Sequence, residues 1–201
     1  MKIGKIEITG GFVIMAALIY VFDRAGFVPL ILLTVLAHEL GHFSMIHLLG
    51  GRVTGLQLGL VGLRMDYESA SISYPGEIAI ALMGPFVSLA LAFSASLFGQ
   101  ITASETAHLL AGLSLGACLF NLLPIYQLDG GRALFCLLAW RGNLQLAERA
   151  ICVFSCIFIF ALLLAGFGLF LYSGWNFTML TAAVWLLISY CKSRRNTVKC
   201  V

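Results

Sequence analysis

Long apolar stretches alternate with short polar segments along the chain. A membrane-spanning helix needs about 20 mostly apolar residues, because only helices and closed barrels satisfy every backbone polar group in lipid. Six stretches approach or exceed this length: residues 8–22, 28–49, 75–98, 106–123, 144–172 and 176–191. The pattern therefore predicts an all-α polytopic membrane protein with about six transmembrane helices.

The segment at residues 51–73 departs from the helical pattern. Apolar side chains recur at every second position on both sides of a glycine-containing turn, at Leu56, Leu58, Leu60, Leu63, Met65 and Tyr67. Period two around such a turn predicts a small β-hairpin at the membrane edge. Two roles are open for it: a strand edge offered to an extended peptide, or a loop that covers the mouth of the helix bundle.

Composition agrees with a membrane solvent. The chain is 61% hydrophobic and 10% charged, whereas a soluble domain has about 25% charged residues. A length of 201 residues predicts one membrane-embedded domain over residues 1–201, with no added soluble domain. The net charge of +3 gives no argument for a nucleic-acid partner. The six cysteines form no CxxC pair and are expected to pack as small apolar residues.

Charge placement predicts the orientation. Six spans put both termini on one side of the membrane, and of the twelve Lys and Arg only Arg24 falls on the other side, which leaves eleven on the first. Positive residues concentrate on the cytosolic side. We therefore expect a multi-pass protein of the cell membrane with both termini, and the opening of any site near them, in the cytosol.

The second predicted span contains three ionisable residues in the motif HELGH. His38 and His42 lie about 40° apart around a helix, and Glu39 is adjacent. Two such imidazoles can hold one Zn²⁺, and the carboxylate can accept a proton from water. Charges inside a membrane are costly, so chance is a poor explanation. The alternative is a pair of core histidines hydrogen-bonded to the protein. His47, about 180° from His38 on the helix, and His108 are each expected to be an interfacial or packing histidine.

A catalytic zinc site has three protein ligands and one open position. Among the acidic residues Asp129 is the best candidate, because "NLLPIYQLDGGR" at residues 121–132 follows the fourth span at the same predicted depth as the histidines. Pro124 should end or bend the preceding helix, and Gly130 and Gly131 should let the backbone turn tightly. The alternative for Asp129 is a turn cap or an ionic partner of Arg132.

HELGH on one span followed by N-x-x-P-x-x-x-L-D-G on a later one resembles the site-2 protease family of intramembrane zinc metalloproteases. The similarity is greatest to the stage IV sporulation protein FB group and covers a core of about residues 28–140. It implies that His38, His42 and Asp129 bind one Zn²⁺ per chain, that Glu39 is the catalytic base, and that Asn121 lies near the substrate. Leu122 and Gln127 depart from prolines common in the family.

The resemblance also implies a function. The expected activity is hydrolysis of a peptide bond in or near a transmembrane segment of a membrane-bound regulatory protein, such as a sigma factor precursor or an anti-sigma factor. Expected partners are single-span or membrane-associated substrates, inhibitory membrane proteins and lipid. The alternative is a membrane zinc-binding regulator or metal transporter without hydrolysis. A transporter would usually carry further ligands along several spans, which this sequence does not show.

Overall fold

The computed structural model describes residues 2–3, 6–8, 23, 26–59, 62–68, 72–173 and 177–198. The predicted first span, residues 8–22, lies outside the described residues apart from Ile8. The chain forms two compact units, Met1–Phe120 and Asn121–Val201, which are considered separately. The single domain expected over residues 1–201 remains a prediction.

The described residues of the first unit form a small sheet and three helices. In chain order its elements are β1 (Lys2–Ile3), β2 (Ile6–Ile8), α1 (Val28–Leu48), β3 (Arg52–Gly59), β4 (Gly62–Glu68), α2 (Tyr74–Thr102) and α3 (Glu105–Asn121), the last ending at the unit boundary. The second unit contains α4 (Asp129–Trp140), α5 (Leu144–Ser173) and α6 (Thr178–Val198). An all-α fold with a small β-hairpin is thereby confirmed.

The carboxylate of Asp23 caps the N-terminus of helix α1. The backbone N–H groups of Phe27 and Val28 donate to the two carboxylate oxygens of Asp23, at 2.9 and 2.7 Å. A helix N-terminus has unpaired N–H groups and a partial positive charge, so a carboxylate there is stabilising. The helix ends at Leu48, and Gly50 follows with φ of 77°. Asp23 thus has a structural role that fixes where the motif-bearing helix starts.

The predicted hairpin is present as β3 and β4. The strands pair antiparallel, with Leu58 opposite Leu63 and Gly59 opposite Gly62. On its other side β3 pairs parallel with β2, so β4 is the outer strand of the described sheet. The Tyr67 hydroxyl on β4 donates to the Glu77 carboxylate in the first turn of α2 at 2.8 Å. This bond ties the outer strand to the helix that follows it.

The distribution of side chains on α1 is that of a helix in lipid. Its buried positions are Thr34, His38, Gly41 and Ile46, whereas Leu36 and Leu40 are each 60% exposed. In a helix of a soluble protein the leucines are usually buried and the polar side chains exposed, so this distribution is reversed. It is the distribution expected in a membrane protein, where charged and polar groups face the protein interior. Three described helices are long and apolar enough to cross a membrane: Val28–Leu48, Tyr74–Thr102 and Leu144–Tyr172.

Two elements differ from the sequence expectation. Helix α4 was not predicted, because its 12 residues are too few for a span; it buries the small side chains of Ala133, Cys136 and Ala139 on one face. Helix α6 continues to Val198, past the end of the predicted span at residue 191. Hydropathy marks where a helix stops being apolar, while the backbone hydrogen bonds continue into the basic segment.

Candidate metal centre

Helices α1 and α2 approach closely at two facing glycines. A Cβ on Gly41 would lie 2.7 Å from the Met83 carbonyl oxygen and 3.1 Å from the Gly84 Cα. Such distances exclude any side chain at Gly41, so the glycine of HELGH permits the close contact. The contact faces the two histidines towards Ile80, Gly84 and Ser88, which are four residues apart and therefore share one face of α2.

Helix α2 holds the outer nitrogen of each imidazole. His42 donates from Nδ1 to the Ile80 carbonyl at 2.8 Å, and Nδ1 of His38 lies 3.0 Å from the fully buried Ser88 hydroxyl. A carbonyl can only accept, so the His42 proton is on Nδ1 and its Nε2 carries a lone pair. Metal-binding histidines usually have such a partner on the second nitrogen, which orients the ring. Ser88 and the Ile80 carbonyl were not identified from the sequence.

The two Nε2 atoms face each other at 3.2 Å. Two zinc–nitrogen bonds of about 2.0–2.1 Å at a tetrahedral angle place the nitrogens about 3.3 Å apart. The distance between the two Nε2 atoms therefore fits one tetrahedral Zn²⁺. The Nδ1 atom on the opposite side of each ring is already bonded to α2. The alternative of two ordinary core histidines explains the Nδ1 bonds, and at 3.2 Å an Nε2–H of His38 could also donate to Nε2 of His42. What that alternative does not explain is the open space beside the two Nε2 atoms.

Gly84 leaves room at that point. A Cβ there would lie 2.2 Å from Nε2 of His42 and 2.9 Å from Nε2 of His38. Any side chain at this position would fill the space beside both Nε2 atoms. Gly84 is therefore part of the wall of the candidate site.

Three further polar residues of the first unit, Glu39, His47 and His108, differ in their burial. Glu39 is half-buried, next to His38 on α1, whereas His47 lies exposed near the end of the same helix. His108 is exposed on α3, and a Cβ on Gly99 would lie 2.9 Å from Cε1 of its ring. Packing against Gly99 is consistent with the structural role predicted for His108.

In the second unit Asp129 is the first residue of α4, and the turn before it packs against that helix. A Cβ on Gly130 would lie 2.1 Å from the Leu122 carbonyl oxygen, and one on Gly131 2.0 Å from that of Ile125. Neither glycine has positive φ. The expected reason for these glycines, a tight backbone turn, was therefore wrong: they are needed because the preceding loop lies against the start of α4. Asn121 is the last residue of α3, three residues before Pro124.

Among the described residues, His38 and His42 in the first unit and Asp129 in the second are ligand-type side chains suited to hold a metal ion. Two imidazole nitrogens and one carboxylate oxygen are a donor set that zinc enzymes use. Zn²⁺ is also the metal implied by the proteins that this chain resembles.

The chain was compared with protein families, curated proteins and solved structures. Residues 95–165 match the model of Peptidase family M50. Over 122 residues the chain is 31% identical to stage IV sporulation protein FB of Bacillus subtilis, a match that covers 59% of this chain and 42% of that protein. The site-2 protease of Methanocaldococcus jannaschii has the same fold, with a TM-score of 0.68 and 22% identity over 96% of this chain and 92% of that one. Residues 95–165 are thus similar to Peptidase family M50, and the fold is that of the site-2 protease structure.

A cyanobacterial protein gives a further site-2-protease-like match. "Putative zinc metalloprotease sll0528" of Synechocystis is 34% identical over 110 residues, which cover 52% of this chain and 29% of that protein. This chain spans less than half the length of the curated relatives it matches. The resemblance read from HELGH and the later LDG motif is confirmed.

Proposed function

We propose that the chain is an intramembrane zinc metalloprotease that hydrolyses a peptide bond in or near a transmembrane segment of a membrane-bound protein. The observation that carries the proposal is the pair of convergent Nε2 atoms of His38 and His42, 3.2 Å apart, with Nδ1 of each ring held by α2. Glu39 follows His38 directly, so the group that can take up a proton is built into the same helical turn.

In this proposal His38, His42 and Asp129 hold one Zn²⁺. The ion, when bound, supplies a Lewis acid that makes water more acidic and polarises a peptide carbonyl. The first turn of α4 suits an anionic ligand, because a helix N-terminus stabilises negative charge. Ser88 and the Ile80 carbonyl keep the two rings oriented and fix which nitrogen of His42 is available.

Glu39 acts as the general base and then as the general acid. Its carboxylate accepts the proton of the attacking water and returns it to the leaving amine, so that no net proton is consumed in the step. Asn121, at the end of α3, is proposed to bind the substrate main chain. The substrate has to unwind locally, because the carbonyl of a helical residue is already hydrogen-bonded.

Strand β4 is the proposed receiver of the unwound substrate. It is the outer strand of the described sheet and is tied to α2 through Tyr67 and Glu77. An extended peptide can pair with an outer strand through main-chain hydrogen bonds alone. Of the two roles left open by the sequence, this one fits the observed strand order.

Substrate class and orientation complete the proposal. A relative named for sporulation favours a regulatory substrate, such as a sigma factor precursor or an anti-sigma factor, with inhibitory membrane partners. We further propose cytosolic termini and a cytosolic opening, supported by the bias of Lys and Arg along the sequence.

Metal removal tests the activity. Purified chain in liposomes, incubated with candidate single-span proteins, is expected to cleave one of them; 1,10-phenanthroline should abolish the cleavage, and one equivalent of Zn²⁺ should restore it. Cleavage is followed by gel shift and mass spectrometry of the products. Zinc binding without cleavage of any candidate would favour the regulator, and zinc flux into the liposomes would favour the transporter.

A further inference from the structure

The turn that precedes Asp129 contains a buried side-chain amide. Both polar atoms of the Gln127 side chain, Nε2 and Oε1, are buried and have no hydrogen-bond partner among the described residues. Buried polar groups in folded proteins are almost always paired, so an unpaired amide needs an explanation. It is a cost to the folded state that an apolar side chain of similar size would not carry.

The backbone of this turn is, in contrast, well paired. Leu128 N–H donates to the Ile125 carbonyl at 2.8 Å, and Tyr126 N–H donates to the Ser155 hydroxyl on α5 at 2.9 Å. Ser155 is itself fully buried and donates to the Ile151 carbonyl. The turn is therefore held in a defined position, and that position leaves the Gln127 amide without a partner.

The chemistry of the amide indicates what it can bind. A glutamine side chain offers one acceptor oxygen and an NH₂ donor. The main chain of an extended peptide offers the complementary N–H and C=O groups, which are free once the peptide has left its helix. Gln127 is two residues from Asp129, so a peptide bound beside that carboxylate would lie near this turn.

We propose that Gln127 is a substrate-binding residue: when an extended peptide enters, the Gln127 side chain changes rotamer while the turn keeps its backbone hydrogen bonds, and the amide pairs with the peptide main chain. The proposal rests on the proteolytic function proposed above. The unpaired amide raises the free energy of the substrate-free enzyme, and binding removes that penalty. The contact is to main chain, so it is insensitive to substrate sequence and present both before and during the chemical step.

The substitution Gln127→Met tests this inference, since methionine keeps the length of the side chain and removes its polar atoms. We expect two changes together. The unfolding temperature rises, because a buried unpaired amide is gone. KM for the cleaved single-span protein rises roughly threefold to tenfold, the value of one neutral hydrogen bond, with kcat unchanged, because the lost contact is the same in ground and transition states.

Gln145→Met is the matched control, because Gln145 is exposed on α5; neither value should change. An unchanged KM in Gln127→Met would overturn the inference, and so would a lower unfolding temperature, which would mean that the amide is already paired in the free enzyme. These outcomes are distinct from failure of the proposed function, in which the unmodified chain would cleave no substrate and this inference would fall with it.

Discussion

Replacing Glu39 with glutamine should abolish proteolysis while leaving zinc in place. The change keeps the size of the side chain and removes its capacity to accept and return a proton. Loss of general acid–base catalysis costs between about 100-fold and about 10,000-fold in rate. Zinc content should stay at that of the unmodified chain, because the ligands in this account are His38, His42 and Asp129. Rate is measured by product formation in liposomes, and zinc by elemental analysis of the same samples.

The control for this experiment is Glu148→Gln, the same chemical change at an exposed position on α5. It should leave both rate and zinc content unchanged. Full activity in Glu39→Gln would remove Glu39 from the mechanism. Loss of zinc in Glu39→Gln would show that the carboxylate is a ligand or supports one, and the assignment of roles would have to change.

The second large effect is expected for Gly84→Ala. The added methyl group would lie 2.2 Å from Nε2 of His42, in the space where both lone pairs converge. Loss of a partner that merely orients a ligand costs about 10–100-fold in metal affinity. A methyl group in the metal position obstructs binding directly, so zinc affinity should fall by more than about 100-fold, and activity with it. Zinc is titrated against a competing chelator, and the folded fraction is checked by near-ultraviolet circular dichroism.

Gly116→Ala is the matched control, since a Cβ at Gly116 has no described heavy atom within 4 Å. It should bind zinc as the unmodified chain does. Normalising to the folded fraction separates loss of the site from loss of the fold. If folded Gly84→Ala binds zinc with unchanged affinity, the Nε2 atoms of His38 and His42 do not hold the ion in the way described here.

The histidine pair was predictable, and its supporting groups were not. Helical periodicity alone brings His38 and His42 to one face, because residues four apart are neighbours on any helix. Ser88 and Ile80 depend on how α1 packs against α2, which no local pattern specifies. Ile80 contributes a main-chain carbonyl, a group that every residue has. The spacing of Ile80, Gly84 and Ser88, in a helix whose buried side chains are mostly small, was the available signal.

The loop before α4 shows a different limit. Adjacent glycines at Gly130 and Gly131 were expected to allow unusual backbone angles, yet both are helical and are needed for close approach of Leu122 and Ile125. Sequence indicates that a glycine is special, but the reason depends on what lies against it. The three described helices that are long and apolar enough to cross a membrane were predictable within a few residues, because hydropathy reports solvent. Helix α4 was missed because it is a short helix with no span of its own.

The account depends most on one ion being bound jointly by His38, His42 and Asp129. The most direct test is an anomalous difference map, collected at the zinc edge from crystals of the zinc-loaded chain. We expect one peak per chain, about 2.0–2.2 Å from Nε2 of both histidines and from a carboxylate oxygen of Asp129. A zinc peak whose coordination sphere excludes the Asp129 carboxylate, or one located away from the two histidines, would contradict the account.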